Sequence, residues 1–106
     1  MSFTIKRNDT EPWVLTLLED GVEKDLTDFG SGKCYMFDSD GVEVMDRAVA
    51  VEGAAANGQV KVSPAAGEVD TAGVYDLEIE ITWSDATITT FPNDSYEELT
   101  IIADLK

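Results

Sequence analysis

Residues 75–83, Tyr-Asp-Leu-Glu-Ile-Glu-Ile-Thr-Trp, alternate apolar and polar side chains without a break. In an extended chain, successive side chains point to opposite faces. Tyr75, Leu77, Ile79, Ile81 and Trp83 therefore share one face, and Asp76, Glu78, Glu80 and Thr82 the other. Isoleucine and aromatic residues suit a pleated surface, and the acids on alternate positions forbid burial of both sides. This is the longest and clearest strand pattern in the chain. It reads as a central strand whose apolar face must be covered by the rest of the sequence.

Taken in order, the remaining segments supply that cover. Phe3 and Ile5 alternate with Thr4 and Lys6 in a first strand, and Asn8-Asp9-Thr10-Glu11-Pro12 turns the chain. Trp13 to Leu18 forms a second strand, with Trp13, Leu15 and Leu17 on one face. Glu19-Asp20-Gly21 is a turn, and Leu26 is an inward anchor. Residues 28–32 contain two glycines and read as a loop before a strand over residues 33–37. There Cys34 and Met36 face one way, and Tyr35 and Phe37 the other. Asp38-Ser39-Asp40-Gly41 is a hairpin signal, because Asp-Gly readily supplies positive φ.

Short strands follow over Val42–Met45, Ala48–Glu52 (built on Val49 and Val51) and Gln59–Ser63. Residues 53–58 read as a bend, since Asn-Gly follows the three alanines directly. After Trp83, strands are expected over residues 87–91 and 97–105, the last with Leu99, Ile101, Ala103 and Leu105 inward. No segment of ten or more residues carries a 3.6-residue period. Short strands separated by frequent turns describe an all-β sandwich or barrel, here a single domain over residues 1–106.

Net charge bears on partners. It is −15, from 22 acidic residues against 7 basic ones. A surface this negative repels phosphate backbones, so nucleic-acid binding is not expected. Solubility explains much of the charge; the sharper reading is an acidic face that meets a basic partner. No apolar run approaches the roughly 18 residues of a membrane span. The start of the chain lacks a signal-peptide pattern, since Lys6 and Arg7 follow a short mixed opening. With one cysteine, Cys34, no internal disulfide forms, which fits production in a reducing compartment.

Catalysis finds little to work with. There is no histidine, which removes the commonest general base and the usual activator of serine or cysteine nucleophiles. Lys33 adjoins Cys34, but strand neighbours point to opposite faces, so Cys34 reads as a small core residue. Asp38-x-Asp40-Gly41 resembles the start of a calcium loop, yet it lacks both the later glutamate and the flanking helices, and the hairpin reading is preferred. Asp85, Asp94 and Glu97 have no metal-ligand spacing. The chain is expected to be a non-enzyme with no cofactor.

Asp70-Thr-Ala-Gly73-Val-Tyr75-Asp-Leu77 resembles the Asp-x-x-Gly-x-Tyr-x-Cys start of the F strand in immunoglobulin domains. Such a pattern makes Tyr75 a candidate tyrosine corner, its ring buried and its hydroxyl bonded to backbone a few residues upstream. Leu77 stands at the disulfide cysteine's place. The expected architecture is thus an immunoglobulin-like antiparallel β-sandwich. If Cys34 and Met36 face the core, Tyr35 and Phe37 lie on the outer sheet face. They are then either covered by a neighbouring loop or available to a partner.

Three pieces together resemble one family: Ile5-Lys6-Arg7-Asn8-Asp9-Thr10-Glu11-Pro12, Asp70-Thr-Ala-Gly-Val-Tyr75, and Thr90-Phe91-Pro92-Asn93-Asp94-Ser95-Tyr96. Their order and distances are similar to the immunoglobulin-like domain at the N-terminus of bacteriophage baseplate upper proteins and to related small phage and prophage proteins. Asn8 stands where that pattern has glycine. Those baseplate proteins continue into a C-terminal extension that links to receptor-binding parts, and the resemblance does not include it.

What the resemblance implies is a structural or assembly protein of a phage tail, baseplate or virion, made in the host bacterial cytoplasm and working by contact with other phage structural proteins. Candidate contacts are Tyr35, Phe37, Glu78 and Glu80 on the sheet, and Phe91, Asn93, Asp94 and Tyr96 in the loop. That loop reads equally as a cap on the open end of the sandwich. Homo-oligomerisation through sheet edges is compatible with the sequence. The rival function is a carbohydrate- or cell-surface-binding module, which requires exposed aromatics. Of the two tryptophans, Trp13 and Trp83, the latter belongs to the inward set.

Overall fold

The computed structural model describes residues 2–92 and 97–103. Among them are eleven strands: β1 (Ser2–Lys6), β2 (Trp13–Thr16), β3 (Leu18–Glu19), β4 (Val22–Glu23), β5 (Phe29–Phe37), β6 (Glu43–Ala48), β7 (Ala50–Val51), β8 (Gln59–Val62), β9 (Gly73–Trp83), β10 (Ile88–Phe91) and β11 (Glu97–Ile102). Single 3-10 turns lie at Ala55–Asn57 and Ala66–Glu68. A six-stranded sheet runs in the order β1-β11-β9-β5-β6, with β10 also paired to β9. A three-stranded sheet runs β2-β8-β7, and β3-β4 is a separate hairpin. The pairing is antiparallel except for β1 with β11.

The alternating stretch becomes β9, and it is central. One edge pairs with β5 along most of its length. The other edge is shared: β11 takes Gly73–Leu77, and β10 takes Ile79–Thr82. Leu77, Ile79 and Ile81 are buried with Cys34 and Met36 of β5, Leu99 and Ile101 of β11, and Val60 and Val62 of the second sheet. These inner faces form one core between the two layers, as sheet-on-sheet packing requires. Leu26 is buried as the sequence suggests, and Trp13 and Leu17 point inward while Val14 and Leu18 do not.

Local chemistry sets the turns. Asp20 and Gly21, the two central residues of the β3–β4 hairpin, have φ of +54° and +79°, the paired positive values of a two-residue hairpin loop. Asn8 has φ +68° and donates its N–H to the Val69 carbonyl at 2.8 Å. Asparagine tolerates the left-handed region better than most residues, which suits it to this turn. In the Asp38 hairpin, one carboxylate oxygen accepts from the N–H groups of Asp40 and Val42 at 2.9 and 3.0 Å. The Tyr75 hydroxyl donates to the Thr71 carbonyl at 2.6 Å with its ring buried, which makes the tyrosine corner.

Several expectations are corrected. Residues 29–32 are not a loop but the first part of β5, paired with the end of β9. Glycine is there for room: a Cβ on Gly32 would fall 2.8 Å from Val49 Cγ2 and 2.9 Å from Ile81 Cδ1. Residues 53–58 are not simply a bend. Ala55, Ala56 and Asn57 make a 3-10 turn, and Gly58 ends it at φ +67°, where a Cβ would also sit 2.8 Å from the Lys24 carbonyl oxygen. Strand β11 stops at Ile102 and leaves Ala103 exposed, while Asp104 and Leu105 lie outside the described residues.

Candidate functional site

The period of two that buries one face of β5 and β9 presents the other. Pairing register fixes what lies side by side there. Tyr35 sits opposite Asp46 of β6 on one side and Glu78 of β9 on the other. Phe37 sits between Glu43 and Asp76, and Asp76 is in turn opposite Glu98 of β11. Lys33 sits opposite Glu80, which faces Thr90 of β10. The result is two partly exposed aromatic side chains on β5, flanked by carboxylates from β6 and β9, with Glu98 of β11 one strand further out.

These carboxylates are scarcely compensated. Lys33 pairs with Asp46 at 3.4 Å, with both side chains exposed. Among the described residues, Asp76, Glu78, Glu80 and Glu98 make no ion pair. Partial desolvation, and then the charges of Glu80 and Asp46, hold the Tyr35 phenol above its ordinary range. A surface pair such as Lys33–Asp46 contributes little in high dielectric, so the face stays strongly negative.

A second feature lies at the Trp83 end of β9. Lys24, Asp25, Asp28, Trp83, Ser84, Asp85 and Thr87 line an open cleft of about 380 Å³. Trp83, expected wholly inward, is half-buried; its Nε1–H donates to Thr89 Oγ1 at 2.9 Å, and the Lys24 ammonium lies 5.5 Å from its ring centroid. Asp25 and Asp85 each accept from the backbone N–H and hydroxyl of the threonine two residues on, at 2.6–3.0 Å. Those hydrogen bonds, side-chain first, lower both carboxyl pKa values. Among the described residues, no group of three or more histidine, cysteine or acidic side chains is placed to hold a metal ion.

Of the residues singled out in the sequence, Tyr35, Phe37, Glu78 and Glu80 come together on one face. Phe91 does not join them: it is opposite Ile79 in register, 1% exposed, and part of the core. Its candidacy as a partner contact is withdrawn, because no partner reaches a ring sealed between the layers. Asn93, Asp94 and Tyr96 lie outside the described residues. Asp46, Asp76, Glu43 and Glu98 were missed. Each is a polar residue on a strand, but only the pairing register brings Glu43, Asp46 and Asp76 beside an aromatic and Glu98 beside Asp76. Cys34 is fully buried, and burial, with Glu68 adding to it, pushes its thiol up to about 12.

No family model and no curated protein matches the chain. Among solved structures it is similar to the crystal structure of CopC from Methylosinus trichosporium OB3b, with a TM-score of 0.53 and 14% sequence identity over 97% of this chain and 85% of that chain. A likeness at this identity speaks to the fold alone, and it agrees with the all-β, immunoglobulin-like sandwich described above.

Proposed function

We propose that the chain is a non-catalytic structural or assembly module of a bacteriophage or prophage tail, baseplate or virion, acting through protein–protein contact. The observation that carries the contact reading is the outer face of the six-stranded sheet: Tyr35 and Phe37 between the carboxylates of Glu43, Asp46, Asp76 and Glu78. Aromatic side chains supply contact area, and a largely uncompensated acidic rim steers and orients a basic partner. The phage setting rests on the sequence resemblance. The inert, buried Cys34 thiol supports a role without chemistry.

The test is a pull-down of purified phage tail and baseplate proteins on this chain. Binding is expected to weaken as ionic strength rises from 50 to 500 mM, roughly the range over which the Debye length falls to a few ångströms. It is also expected to fail on charge reversal at Glu78 and Glu80. Indifference to both changes refutes docking through this face.

A carbohydrate-binding role is the second reading, and one observation favours it. The Trp83 ring borders an open cleft with Asp25, Asp28 and Asp85, where carboxylates and an aromatic edge meet. Glycan-array binding that disappears in Trp83→Ala supports this reading; a blank array removes it.

A further inference from the structure

We infer that the outer face of the six-stranded sheet selects arginine over lysine on its basic partner, with Tyr35 as the plate on which the guanidinium lies and Asp46 and Glu78 as the carboxylates that grip it. This rests on the proposed docking reading of the same face.

Register supplies the geometry. In antiparallel sheets directly opposite residues carry their Cβ atoms about 4.5–5.5 Å apart. Asp46 and Glu78 therefore rise on either side of the Tyr35 ring. A planar guanidinium stacked on that ring points its N–H donors outward in its own plane, toward both flanks at once. Each carboxylate accepts charge-assisted hydrogen bonds, and the delocalised cation is more weakly hydrated than an ammonium. An ammonium is a compact point charge that gains little from the ring and settles on one carboxylate.

The face already shows how a lysine behaves there. Lys33 stands opposite Glu80 in register, yet its ion pair is with Asp46 at 3.4 Å, both groups exposed. Glu78 and Glu80 make no ion pair among the described residues. The Lys33–Asp46 pair is exposed and weakly held, so an incoming guanidinium displaces Lys33 from Asp46 while it meets the unpaired Glu78.

The experiment titrates the full chain, labelled with nitrogen-15, with two synthetic peptides of identical length, one carrying four arginines and the other four lysines. Saturable shifts are expected at the amides of Tyr35, Asp46 and Glu78, with the arginine peptide bound about fivefold tighter, a gain of the size seen for exposed cation–π contacts. Tyr35→Ala should erase that preference while leaving weak binding of both peptides. Tyr35→Phe should keep it, since the ring and not the hydroxyl makes the plate. Equal affinities with shifts on this face overturn the arginine inference and leave the docking reading standing. A preference that survives Tyr35→Ala overturns the role of the ring. Absence of saturable shifts on this face with either peptide overturns both the inference and the reading beneath it.

Discussion

Leu77 and Glu78 are covalent neighbours that live in different media. Leu77 has no exposed surface and lies in the core; Glu78 stands beside Tyr35 on the open face of the same strand. The same contrast holds along β5, where Cys34 and Met36 are sealed and Tyr35 and Phe37 are not. A strand therefore separates two tasks at no cost in length. The inner residues set stability through buried volume, and the outer residues set recognition through charge and ring area. The two sets are expected to respond almost independently to substitution.

The strongest way to break this division is at Phe91, which the sequence offered as a contact and the structure places inside. Phe91→Ala should lower unfolding free energy by about 3–5 kcal/mol, as for other large-to-small changes in cores. Urea denaturation checks it, and an unchanged midpoint would put Phe91 back on the surface.

Next comes the alkaline response of Cys34. Its thiol is raised from 9.0 to about 12 in the folded state, so above pH 9 the unfolded chain gives up this proton first. The stability present below pH 9 is then lost as pH rises toward 12, at about 1.4 kcal/mol per pH unit. The slope should be shallower in Cys34→Ala, and native protein at pH 8 should leave a thiol reagent unreacted.

Tyr75→Phe removes the hydroxyl that bonds the Thr71 carbonyl but keeps the ring. About 1 kcal/mol is expected, the net value of one hydrogen bond, read as a shift in thermal midpoint. The smallest stability effect belongs to the outer face. Glu78→Gln and Glu80→Gln should change stability by no more than about 0.5 kcal/mol while weakening a basic partner. A large loss of stability from either would mean that the acidic face is structural.

The sequence was most legible where the period of two ran long. Tyr75 to Trp83 alternates over nine residues, and both the strand and its inward set follow directly, with only Trp83 less buried than expected. Turns were legible where residue chemistry fixes positive φ, as at Asp20-Gly21 and Gly41. Residues 29–32 misled because glycine density reads as loop, whereas here small size lets Val49 and Ile81 close over the strand. That is a tertiary demand with no local signature. Phe91 misled because the Phe-Pro-Asn-Asp-Ser-Tyr motif groups it with a loop, whereas it is the last residue of β10 and faces inward opposite Ile79. Half of the candidate face was named in advance. The rest, Glu43, Asp46, Asp76 and Glu98, becomes a neighbourhood only through pairings between distant segments.

Strands β6 and β7 are separated by Val49 alone, yet β6 edges one sheet and β7 edges the other. Val49 itself is buried and bonds its N–H to the Gly32 carbonyl at 3.0 Å. One continuous run of backbone thus hems the two layers together along that border. Shear between the layers would have to tear this seam, so neither can loosen without the other. The amides of β5, β6 and β8 should consequently exchange with deuterium as a single cooperative unit, which gives whatever docks on the outer face a stiff support.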